Sequence, residues 1–213
     1  MSWELATHEG LPYRYLLPPG YDPFHQRYPV ILFLHGSGER GDDTQAHLKN
    51  GVESLVGQPA IIVAPQCPAD DTWGGSWYGG DSRTQRTVVS LVRELGRRRS
   101  VDAGRISLIG YSMGAIGSWA IIARYPELFC AAVPIAGDLE PESARGLAQF
   151  PLWAFNGADD RLVLPEHTRQ VASMMKQLGG VFRYTEFPGV GHDAWKPAFA
   201  TPELMPWLLS QRR

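Results

Sequence analysis

Cysteine is scarce in this chain: two residues in 213, Cys67 and Cys130. That is too few for a disulfide framework, and their spacing matches no zinc motif, so two free thiols are expected and no structural metal. An excess of charge of either sign is lacking too. The 20 basic and 22 acidic residues leave a formal net charge of −2, which gives no electrostatic reason for a nucleic-acid or anionic-membrane partner. The one basic run, Arg97 to Arg99, closes an amphipathic pattern and is expected as a solvated helix terminus. No stretch approaches the ~18 consecutive apolar residues of a membrane span, and the first fifteen residues lack a basic segment followed by an apolar core. Cytoplasmic residence is the resulting expectation. With no internal repeat, low-complexity tract or polar linker, residues 1–213 are expected to form a single domain.

What the chain does have is a regular alternation of two periodicities. Short apolar runs rich in β-branched residues recur at "YRYLL" (13), "PVILFLH" (29), "AIIVAP" (60), "RISLIG" (105), "AAVPIA" (131), "PLWAFN" (151) and "VFRYTEF" (181), and each reads as a strand. Between the later ones, Val88, Leu91, Val92 and Leu95, and again Val171, Met174, Met175 and Leu178, repeat with helical spacing. Pro165 before the second pattern and Gly179-Gly180 after it punctuate a helix. Strands alternating with helices of this length predict an α/β fold: a doubly wound, mostly parallel sheet with helices on both faces. Only about fifteen residues separate the strands near Ile135 and Leu152, too few for a large lid.

In such sheets ligands bind beyond the carboxyl ends of the strands, so chemistry is sought in the residues that follow each one. After "RISLIG" comes Gly110-Tyr-Ser112-Met-Gly114, and then a helical run from Met113 to about Arg124. Strand, Gly-x-Ser-x-Gly, helix is the context of a nucleophile elbow. Alone, the pentapeptide reads equally as a glycine turn with a capping serine. A serine hydroxyl needs a base, a carboxylate to orient the base, and oxyanion donors. His192 in "FPGVGHDAW" follows a late strand and is the candidate base. For the acid, Asp160 is preferred over its neighbour Asp159 because the Gly157-x-x-Asp160 spacing turns the fourth residue back; Asp138 after the preceding strand is a third choice. Backbone N–H groups of Ser37, in "HGSGERG", and Met113, after the serine, are the candidate oxyanion donors. A phosphate-loop reading of "GSGERG" fails for want of a Gly-Lys-Ser/Thr ending.

With "LHGSGERGDD", "APQCP", "GYSMGAIGSWAIIARYPELF", "FNGADDRLVLPEHT" and "GVGHDAW" in order, nearly the whole chain resembles the α/β-hydrolase superfamily, specifically its small serine carboxylesterases and its dienelactone-hydrolase-like and prolyl-oligopeptidase-like esterases. The resemblance implies hydrolysis of a small-molecule carboxylic ester by Ser112, Asp160 and His192, with no cofactor and no metal. Dienelactone hydrolases carry a cysteine at the elbow, where this chain has Ser112, and prolyl oligopeptidases carry a large propeller domain. The same triad also serves acyl transfer and lactone or thioester hydrolysis, and a non-catalytic binding module on this fold stays open. The long loop "QCPADDTWGGSWYGGDS" offers Trp73, Trp77 and Tyr78 either as an aromatic wall for substrate or as anchors of the loop itself. Glu39 and Arg40 either pin the oxyanion loop or form an exposed ion pair.

Overall fold

The computed structural model describes residues 2–213. Its sheet has eight strands: β1 (Glu4–His8), β2 (Leu11–Leu16), β3 (Tyr28–Leu34), β4 (Ile61–Pro65), β5 (Val101–Tyr111), β6 (Ala131–Ile135), β7 (Trp153–Gly157) and β8 (Arg183–Phe187). The helices are α1 (Arg83–Leu95), α2 (Met113–Arg124), α3 (Pro141–Ala144), α4 (Glu166–Gln177), α5 (Trp195–Phe199) and α6 (Leu204–Ser210). Strand order across the sheet is β1-β2-β4-β3-β5-β6-β7-β8, with β1 and β2 antiparallel and every pairing from β4 to β8 parallel. This is the doubly wound α/β-hydrolase architecture. No helix among the described residues is long and apolar enough to cross a membrane.

Strands β3, β4 and β6 are apolar along their whole length because helices cover both faces. All seven residues of β3 are buried, and they alternate: Val30, Leu32 and Leu34 point into one core, Ile31 and Phe33 into the other. The first core takes Val88, Leu91, Val92 and Leu95 from α1, Trp119, Ile121 and Ile122 from α2, and Val171 and Met175 from α4. The second takes Val52 and Leu55 from a short turn, Ala198 from α5, and Leu204 and Leu208 from α6. Helix α1 starts where Ser82 Oγ accepts from the Gln85 amide at 2.9 Å, and α4 starts directly after Pro165.

The strand the sequence conceals is β1. It is a mostly polar edge strand, joined to β2 through Glu9 and Gly10, both at positive φ (47° and 82°), as the two-residue hairpin turn that follows strand twist requires. A glutamate in that turn hides the usual Asn-Gly signature. Parallel pairing from β4 to β8 brings the residues after β3, β4, β5, β6, β7 and β8 to one edge of the sheet, and all the segments singled out for chemistry lie there.

Candidate active site

Ser112 sits between β5 and α2 with φ 54° and ψ −119°, a left-handed φ that costs a non-glycine residue of order 1–3 kcal/mol. Its neighbours explain how the turn can be so sharp. A Cβ on Gly114 would lie 1.9 Å from the Leu34 carbonyl oxygen, and one on Gly110 would lie 2.2 Å from that of Gly114. The end of β3, the serine turn and the first turn of α2 touch backbone to backbone, which only glycine permits. The turn is fixed further by the Ser112 amide, which donates to the Ile135 carbonyl of β6 at 2.9 Å, and by the Ala115 and Ile116 amides, which donate to the Ser112 carbonyl.

His192 and Asp160 come from the loops after β8 and β7. Gly157 brings those loops together: a Cβ there would fall 2.1 Å from the Gly191 carbonyl oxygen and 2.2 Å from that of Val190. The Asp159 amide donates to the Val190 carbonyl at 2.9 Å, while its side chain is turned to solvent. Asp160 is buried. Its Oδ1 accepts from the amides of Leu162 and Val163 at 2.9 and 3.0 Å, and its Oδ2 lies 2.7 Å from His192 Nδ1. An ionised carboxylate only accepts, so Nδ1 carries the ring hydrogen and Nε2 is left as an acceptor. Nε2 lies 2.8 Å from Ser112 Oγ. Asp138 takes no part: it accepts from Trp77 Nε1 and pairs with His167 on α4.

Ser37 and Met113 are the first residues of a 3₁₀ turn (Ser37–Glu39) and of α2. As N1 residues, their amides have no acceptor within their own helices. The glycine loop is held by groups on all sides. His35 Nε2 accepts from the Cys67 amide, its carbonyl accepts from Trp73 Nε1, both at 2.9 Å, and Arg40 Nε donates to the Ser37 carbonyl at 3.1 Å. Glu39 accepts from Asn50, and its carbonyl accepts from Gln66. Burial drives the His35 pKa down to about 3, so the imidazole stays neutral and keeps its acceptor. Burial also pushes the Cys67 thiol up to about 12, which leaves it inert at this rim.

A cleft of about 350 Å³ opens over Ser112, with Trp77, Tyr78, Tyr111, Ile116, Leu162 and Val163 on its walls. Trp73 is not among them. It is fully buried, packs against Gly117 of α2 and anchors the loop through its indole, so of the three aromatic residues only Trp77 and Tyr78 face the cleft. Tyr111 also lines the cleft, a role the sequence does not single out. Its ring lies 5.5 Å from that of His192 and its hydroxyl donates to the His192 carbonyl; a tyrosine inside the elbow pentapeptide was the only available signal. Among the described residues, no three His, Cys, Asp or Glu side chains group as a metal site.

The sequence profile of the Esterase family, described as "Putative esterase", matches residues 6–198. The chain belongs to the Esterase family. The crystal structure of a thermostable esterase superposes on this esterase-family chain with a TM-score of 0.90 at 30% identity, over 100% of this chain and 63% of that one. Carboxylesterase SOBER1 of Arabidopsis thaliana is 23% identical over 190 residues, covering 76% of this chain and 82% of its own length. An uncharacterized secreted protein of Arthroderma benhamiae is 24% identical over 214 residues, covering 84% of this chain. This esterase-family chain spans only 22% of the length of that relative.

Proposed function

We propose that this protein hydrolyses carboxylic esters of small molecules through an acyl-enzyme formed on Ser112. The observation that carries the reading is the unbroken chain Ser112 Oγ, His192 Nε2, His192 Nδ1, Asp160 Oδ2, at 2.8 and 2.7 Å, beginning at a serine held at positive φ. The Oγ attacks the ester carbonyl while Nε2 takes its proton. The resulting imidazolium, oriented by Asp160, gives that proton to the departing alkoxide, and the alcohol leaves. Water then attacks the acyl-enzyme with His192 again as base, releasing the acid and restoring the serine. The amides of Ser37 and Met113 donate to the oxyanion of each tetrahedral intermediate, and losing one such donor typically costs ~10²–10³ in rate. The likeness to a thermostable esterase and to a carboxylesterase supports the ester as substrate.

The test is hydrolysis of a panel of esters by the parent and by Ser112→Ala. The variant is expected to fall by about 10³-fold or more in kcat. An alanine variant that retains the parent rate removes Ser112 from the mechanism.

A further inference from the structure

A second cleft of about 340 Å³ lies beside the first, lined mainly by apolar surface from Trp77, Leu162 and Leu164, with Asp138, Arg161, Glu166 and His167 at its polar edge. Trp77 and Leu162 line both clefts, so the two are separated by one indole and one leucine side chain. These walls are fixed. Trp77 Nε1 donates to Asp138 Oδ2 at 2.8 Å, and His167 Nδ1 holds the same carboxylate, 2.9 Å from Oδ1 and 3.0 Å from Oδ2. Leu162 is tied by its amide to Asp160 Oδ1.

Large apolar side chains left in water mark binding surfaces when they gather in one place. Trp77 (49% exposed), Leu162 (68%) and Leu164 (58%) gather here, beside a buried carboxylate that accepts from the indole and is itself paired with His167. The ester hydrolysis proposed above gives this patch a direction, since Trp77 and Leu162 also line the cleft over Ser112.

We propose that the cleft bounded by Trp77, Leu162 and Leu164 is a second substrate subsite, which takes the distal part of an unbranched apolar acyl chain. Trp77 and Leu162 are its threshold, and the Asp138–His167 pair is a positioning group that holds the indole. The inference rests on the esterase reading but concerns the acyl chain alone. Each methylene buried beyond the threshold raises kcat/KM by up to about fourfold.

The experiment compares p-nitrophenyl octanoate with p-nitrophenyl acetate for the intact protein and for Leu164→Glu, which sets a carboxylate in the second cleft at an exposed position. The octanoate-to-acetate ratio of kcat/KM is expected to fall at least tenfold in the variant; an unchanged ratio overturns the subsite. Calorimetric titration of the intact protein with octanoate and with acetate reads the same site without turnover. Octanoate is expected to bind at least tenfold more tightly, and equal affinities overturn the proposal. A protein that cleaves neither ester yet binds octanoate preferentially refutes the hydrolase reading and leaves the subsite standing.

Discussion

Among the described residues, two sets of side chains have serine, histidine and acid at hydrogen-bond distance, and they differ in geometry. Ser90 Oγ lies 2.9 Å from His8 Nε2, and His8 Nδ1 lies 2.8 Å from Glu94. The Ser90 hydroxyl, however, donates to Glu9 Oε1 at 2.7 Å, so its proton is not offered to the imidazole, and Ser90 sits within α1 on ordinary helical backbone. Ser112 differs in its positive φ and in the glycines around it. Gly114→Ala, whose Cβ would penetrate the Leu34 carbonyl, is expected to cost about 3 kcal/mol or more in urea unfolding. Gly38→Ala, with nothing within 4 Å of a new Cβ, should change stability by no more than about 0.5 kcal/mol. Equal losses at the two positions would refute the packing account of the elbow.

At the scale of elements, the glycine loop after β3 and the long loop after β4 form one unit with His35 as its joint. The joint is pH-sensitive in a definite direction. The folded pKa of His35, about 3, lies below the ordinary 6.5 because of burial, so between those values the unfolded chain binds a proton that the native protein does not. This contribution is complete above pH 6.5 and shrinks as pH falls, by about 2 kcal/mol between pH 7 and pH 5. Urea unfolding of the parent and His35→Gln should converge by that amount across this range; parallel curves would exclude it. Helices α1 and α4 and the central strands were legible from periodicity, and α2 runs over the very residues expected, whereas the short helices α3, α5 and α6 carried no such signal. The role of Trp73 was not legible, because an aromatic residue in a loop reads alike as wall or anchor until the partner of its indole nitrogen is known. Asp138 shows the same limit: its place after a strand made it an acid candidate, and only the folded chain reveals that it holds Trp77 and His167 instead.

For the molecule as a whole, parallel strand order explains why distant segments meet. The carboxyl ends of β3, β5, β7 and β8 gather at one edge, so a serine, an aspartate and a histidine separated by dozens of residues arrive within hydrogen-bond distance. Their order along the chain was visible beforehand. What was hidden is the depth of contact between the loops, set by Gly157 against Val190 and Gly191, and the second cleft, whose walls come from three separate segments. The esterase reading requires that Ser112 be the activated nucleophile of this assembly. Incubation with a fluorophosphonate, followed by intact mass and peptide mapping, decides this: a single adduct on Ser112 in the parent, and none in Ser112→Ala, is the predicted result. An unlabelled parent, or an adduct that survives in Ser112→Ala, would contradict it.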